Sequence, residues 1–141
     1  MPTPFVVKNQ YLKIGDSDIS AYIKGATLTG EYDEVEVTAS GDDVHNAIPG
    51  LANWSIEVEC NQSHTAAELD AIIWPLVGAA SASAIIMKPN GDTTGANNPK
   101  WTGNGRIFAY TPIAGSVGDG ATTSFTIKPG DGSMIVRAVA D

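Results

Sequence analysis

Period-two alternation of apolar and polar residues recurs along most of this chain and limits its fold more than any other feature of the sequence. The alternating runs cover 5–14, 19–28, 35–38, 55–60, 84–87, 100–111, 122–128 and 134–139. Two stretches alternate without a break: Glu34, Val35, Glu36, Val37 and then Ile56, Glu57, Val58, Glu59. Strict alternation gives a strand one buried and one wet face, as in antiparallel sheets. Turn-forming clusters separate the later runs: NGD at 90–92, GNG at 103–105, DG at 119–120 and PGDG at 129–132. The pattern predicts a mainly β fold, an antiparallel β-sandwich or barrel, as one domain over residues 1–141.

One segment breaks the alternation. Thr65-x-x-Glu68 has the form of a capping box, and Leu69, Ile72, Ile73 and Leu76 follow at helical spacing. This predicts one flanking α-helix over about 64–78, ended or kinked near Pro75 and stopped at Gly78, with its apolar stripe covering the sandwich.

A chain of 141 residues can bury one real core. The amino terminus lacks a basic segment followed by a long apolar stretch, so no secretory signal is expected. The longest mainly apolar segment, 71–80, is too short for a membrane span and contains Pro75 and Gly78. Cys60 is the only cysteine, which excludes an internal disulfide and a Cys-x-x-Cys zinc site. These features predict a cytosolic, soluble protein. Cys60 ends an alternating strand and reads as a small buried hydrophobe.

Catalytic and cofactor motifs are missing. Neither Gly-x-Gly-x-x-Gly, a P-loop, a Gly-x-Ser-x-Gly elbow nor a complete calcium loop occurs in the sequence. His45 beside Asp42 and Asp43 reads as a loop residue rather than a metal ligand, and His64 as a surface residue at the helix start. The expectation is a protein that is not an enzyme, with no cofactor and no metal.

Charge carries more information. Sixteen acids against 8 bases give a formal net charge of −8. That balance argues against gripping nucleic acid through its phosphates. Eight of the acids fall between Glu31 and Glu59, where there is no Lys or Arg. If strands 35–38 and 55–60 pair, Glu34, Glu36, Glu57 and Glu59 form one acidic surface, with Val35, Val37, Ile56 and Val58 on the other. Like charges across a ladder are destabilising, so a chain that keeps them has a use for the negative field or for a solvated face. Between these strands, residues 39–53 read as a long loop that carries Ile48, Pro49 and Leu51. An apolar loop of that length is a candidate partner surface.

The segments DISAYIKGATL (18–28), EYDEVEVT (31–38), GDDVH (41–45) and IPGL (48–51) together resemble the tail tube (major tail) proteins of long-tailed, siphovirus-type phages, those of actinobacteria above all. WSIEV (54–58), NPKWTG (98–103) and YTPIAGSVGD (110–119) extend the likeness over nearly the whole chain. The resemblance implies a virion protein, made in the host cytoplasm. It would assemble as hexameric rings that stack into a tube and meet tape-measure, terminator and distal tail proteins. Hairpins of all subunits would join in one barrel around the lumen, and the 39–53 loop would reach the next ring. Carried over to this sequence, Glu34, Glu36, Glu57 and Glu59 would face the channel. DNA would pass there without specific binding. Asp42, Asp43, His45, Ile48, Pro49 and Leu51 would make inter-ring contacts. The sequence stops at Asp141, soon after the 134–139 strand, so a bare tube without an added outer domain is expected.

Two other readings follow from the same residues. One is another virion structural role: capsid decoration, head–tail joining or tail termination. The other is a carbohydrate-binding β-sandwich with Trp54, Trp101, Tyr110 and Tyr22 as a stacking platform. The apolar neighbours of those aromatics favour core positions instead.

Overall fold

The computed structural model describes residues 3–140; Met1, Pro2 and Asp141 lie outside the described residues. The strands are β1 (Tyr11–Ile14), β2 (Ser17–Asp18), β3 (Ile23–Glu36), β4 (Ala47–Asn61), β5 (Ser83–Lys88), β6 (Lys100–Tyr110), β7 (Thr122–Pro129) and β8 (Val136–Ala138). Helix α1 (Leu69–Ile73) lies between β4 and β5. The fold is mainly antiparallel β with a single short helix among the described residues, as the alternation predicts.

Pairing runs β2-β1-β5-β6-β7-β4-β3, with β8 added to β6. Strand β6 belongs to two halves of this sheet. Residues Trp101 to Gly105 pair with β5, and Gly105 to Tyr110 pair with β7. The halves enclose one core, because Leu12, Ile14, Ile85 and Met87 of β1 and β5 share a buried cluster with Trp54, Ile56, Val58, Phe125 and Ile127 of β4 and β7. The β1–β5 and β4–β7 pairs are not neighbours in the sheet, so the sheet folds over on itself.

Trp54 sits at the centre of that core, 1% exposed, with its indole Nε1–H donated to the Ser133 carbonyl at 3.0 Å. The GNG at 103–105 is not a turn; it lies inside β6, where the indole needs the space. A Cβ on Gly103 would come 3.3 Å from the Trp54 ring. One on Gly105 would come 2.5 Å from Ile127 Cγ2 and 3.2 Å from Trp54. Glycine within a strand marks such a close approach.

The helix is shorter than its sequence pattern. Residues 65–68 form a turn with Ala67 in the left-handed region (φ 65°), and the capping box is not made. Ser63 donates its hydroxyl to the Glu68 carboxylate instead. Pro75 cannot supply an N–H to the ladder, so the chain tightens to a 3-10 turn at Trp74–Leu76 and ends at Gly78 (φ 70°). Leu69 and Ile73 are fully buried, while Ile72 and Leu76 pack on the core from its edge. The helical stripe is therefore correct in which face it buries and wrong in its length.

Cys60 is buried, as expected of a small hydrophobe. Burial, and then the charge of Glu59, pushes its thiol up to about 12 from the usual 9.0. Folded protein should therefore resist iodoacetamide at pH 8 and react only after denaturation, as followed by mass spectrometry. The unfolded chain releases the thiol proton near pH 9 and the folded chain only near 12. This group thus favours folding below pH 9, and its contribution is lost as pH rises across that window.

Candidate functional site: a projecting two-stranded ribbon

The alternating runs around residues 35 and 56 are ends of much longer strands. β3 has 14 residues and β4 has 15, paired from Ile23↔Cys60 to Glu36↔Ala47. β7 pairs with β4 only over residues 56–61. Residues 31–36 and 47–53 therefore form a two-stranded ribbon with no third strand beside it among the described residues.

This corrects the reading of 39–53 as a loop. Only residues 37–46 turn the chain, and Ile48, Pro49 and Leu51 stand in β4. The sequence disguises this part of β4 because Pro49 and Gly50 interrupt the alternation. Pro49 is tolerated because β4 has only β3 beside it there, so a missing N–H breaks no second ladder. A register shift between Tyr32 and Glu34 absorbs the extra residue as a bulge at Gly50 and Leu51. Gly50 is required by that bulge, since a Cβ would meet Val35 Cγ2 at 2.8 Å and Asp33 Cβ at 3.3 Å. Gly50→Val should loosen the ribbon while sparing the core. The expected readout is faster amide exchange at 31–36 and 47–53, with the exchange of β7 unchanged.

The tip is closed by short-range bonds. Asn46 N–H donates to Thr38 Oγ1 at 2.8 Å, and Val37 N–H donates to the Asn46 carbonyl at 2.8 Å. His45 Nδ1 lies 2.6 Å from Glu36 Oε1, and Asp42 Oδ2 accepts from Ala39 N–H at 2.8 Å. Asp42, Asp43 and His45 thus stand together at the tip, all exposed.

The ribbon carries exposed apolar side chains among the acids of β3. Tyr32 is 57% exposed, Ile48 51% and Leu51 82%, and Val35 is also exposed. Val35 pairs with Ile48 across the ladder. An isolated two-stranded ribbon is marginal in water, and exposed apolar side chains on such a ribbon make it a candidate interaction surface.

Register also corrects the acidic surface. Glu57 pairs with Thr27 and Glu59 with Gly25, whereas Glu34 pairs with Pro49 and Glu36 with Ala47. Eight residues of strand, roughly 26 Å at 3.3 Å each, separate Glu57 from the level of Glu34. Alternation along β3 places Glu34 and Glu36 on the side of Leu28, opposite to Thr27. The carboxylates that share the outer face with Glu57 and Glu59 are Glu31 and Asp33. Of the apolar partners expected on the buried side, Ile56 and Val58 are in the core, but Val35 and Val37 are exposed. Register, not alternation, decides the grouping, and nothing in the sequence pattern alone fixes it.

Around Glu57 and Glu59 the outer face is rich in hydroxyl groups, with Ser55 on the same strand and Thr27, Ser124 and Thr126 on neighbouring strands. An open concavity of ≈ 750 Å³ lies over it, lined by Lys24, Thr27, Glu57, Glu59, Ser124 and Thr126 among others. Lys24 Nζ stands 3.7 Å from Glu59 Oε1, an exposed pair that is worth little to stability. Among the described residues, no group of three or more His, Cys, Asp or Glu side chains is arranged to hold a metal.

The aromatic platform does not form. Trp54 is core, and Trp101, Tyr110 and Tyr22 pack against the core rather than presenting free rings. The Tyr110 hydroxyl instead donates to Asp70 Oδ1 at 2.8 Å and accepts from Gln62 Nε2 at 2.8 Å, tying α1 to β6. Burial pushes its phenol up from the ordinary value.

No protein-family model matches this chain, and no curated protein sequence is similar to it. Its fold is nevertheless found in solved structures. A chain in the virion of a native gene transfer agent particle superposes with TM-score 0.76 at 13% identity, covering 96% of this chain and 99% of that one. One in the sheath–tube complex of an extracellular contractile injection system, PVC, in its extended state gives TM-score 0.70 at 17% identity, with 97% and 93% covered. A third, in the tail of an empty gene transfer agent particle with C6 symmetry, gives TM-score 0.70 at 14% identity, with 91% and 92% covered. At these identities the likeness establishes a shared fold over almost the whole of each chain.

Proposed function

We propose that this protein is a structural subunit of a phage-type tail, which polymerises as stacked hexameric rings into a tube with a channel for DNA. The observation that carries this reading is the ribbon, an extension of the sheet that exposes Tyr32, Val35, Ile48 and Leu51, is unpaired beyond two strands and is held clear of the core. A subunit that stays alone gains nothing from it. In a ring of subunits it is buried, and the exposed strand edges are closed. The shared fold with chains of particle tails supports the same reading, and the sixfold symmetry of one of them supports a ring of six.

In this reading the tip residues Asp42, Asp43 and His45, with Ile48, Pro49 and Leu51, contact the adjacent ring. Glu57 and Glu59 line the channel together with Glu31 and the hydroxyl face, and Glu34 and Glu36 lie towards the tip on the ribbon's other side. Carboxylates repel phosphates, and neutral hydroxyls offer no fixed charge to hold them, so DNA slides without being trapped.

Purified protein at high concentration should form open-ended tubes with a central channel in negative stain. A protein that remains monomeric would refute the reading. Single rings that never stack would instead favour a terminator or joining role in the same kind of particle. Charge reversal tests the channel wall: tubes of Glu57→Lys/Glu59→Lys should retain DNA in a salt-dependent manner, and wild-type tubes should not. Equal retention by both would remove the electrostatic part of the account.

A further inference from the structure

β3 is the outermost strand of the sheet. At its free edge, Ala26 is already engaged: its N–H donates to Gln10 Oε1 at 3.0 Å, and its carbonyl accepts from Gln10 Nε2 at 2.8 Å. A side-chain amide carries a donor and an acceptor side by side, as a peptide group does. Gln10 therefore stands where one residue of an added strand would stand. Backbone groups alternate sides along an antiparallel strand, so Leu28 and Gly30 turn theirs to the same edge as Ala26. Below this edge lies an apolar groove of ≈ 520 Å³, lined by Phe5, Leu28, Met87, Trp101 and Met134 among others.

An added strand faces a register problem on this edge. A slip of one residue would exchange its two faces, but a slip of two preserves them, so side-chain alternation does not discriminate between registers two apart. Residues Thr27, Leu28, Thr29 and Gly30 offer no bulky outward side chain to do so. We propose that Gln10 is the register stop of the subunit interface: a strand of a second copy pairs with β3 from Leu28 towards the ribbon tip and ends where the Gln10 amide holds Ala26. The inference rests on the self-assembly proposed above. It adds that Gln10, outside any strand, is a positioning residue for assembly.

Full-length wild-type, Gln10→Ala and Gln10→Glu proteins provide the test; the glutamate keeps the acceptor and loses the amide donor. In the unassembled protein, the Ala26 amide should exchange about tenfold faster in Gln10→Ala than in wild type, the factor expected for one lost hydrogen bond. Gln10→Glu should lie between them. In assembled wild-type rings, cryo-electron microscopy should show a single register, with Gln10 still on Ala26 and the neighbour's strand ending at Leu28. Gln10→Ala should give mixed registers or rings of uneven diameter. Rings of Gln10→Ala that match wild type, or wild-type rings in which the neighbour displaces Gln10 from Ala26, would overturn the register stop and leave the assembly reading intact. Wild-type protein that forms no rings would overturn both, and a protected Ala26 amide would then mark Gln10 as a plain edge cap.

Discussion

Ile48→Asp/Leu51→Asp protein should fold with a wild-type Tm and form no tubes. Both side chains are exposed in the single chain, Leu51 almost entirely. Exposed substitutions away from caps, turns and core change stability by about 0.5 kcal/mol or less. In the proposed tube each side chain would become part of a contact, where burying an apolar residue of this size contributes about 1.5–3 kcal/mol. Replacing it by a carboxylate removes that gain and adds the cost of desolvating a charge. The penalty recurs at every subunit, so polymerisation should be lost rather than weakened. Size-exclusion chromatography and negative stain measure the assembly, and thermal unfolding of the monomer measures the fold. Tubes of normal length from this variant would remove the ribbon from the interface.

Trp54→Ala should produce the largest loss of stability of any single substitution in the chain. The indole is buried between β4 and the glycines of β6, with its N–H bonded to Ser133. Large-to-small replacement of a buried tryptophan costs about 3–5 kcal/mol, against a total stability of about 5–15 kcal/mol for an ordinary domain. The Tm should fall by roughly 10–20 °C. Gly105→Ala reaches the same packing from the other side, because its Cβ would stand 2.5 Å from Ile127 Cγ2. Trp54→Phe should cost less than alanine, since it keeps much of the volume and loses chiefly the bond to Ser133. If Trp54→Ala unfolded within 3 °C of wild type, Trp54 would not be the centre of the core.

Alternation was enough to predict the fold class and to place Ile56 and Val58 inside, because one-sided burial writes itself into every second residue of a strand. It failed where burial stops. The outer part of the β3–β4 pair touches no core, so nothing imposes a period there, and residues 47–53 look like a loop although they pair. The acidic surface failed for a related reason. Glu34 and Glu57 each alternate correctly within their own run, but their relative height depends on how far the hairpin extends before it turns. A bulge at Gly50 and Leu51 shifts that height further. GNG at 103–105 misleads in the opposite direction: glycines that read as a turn make room for Trp54. Gln10 carries no sequence signal, since its role depends on an edge that exists only once β3 is placed.

In the proposed assembly, the outer face of β3, β4 and β7 becomes the wall of a channel. A cryo-electron microscopy reconstruction of the purified, self-assembled protein tests it directly. The predicted result is a stack of sixfold rings with Glu57, Glu59 and Thr126 facing the lumen, and with Ile48 and Leu51 buried against neighbouring subunits. A tube with Glu57 and Glu59 on its outer surface, or a protein that stays monomeric at every concentration, would contradict it.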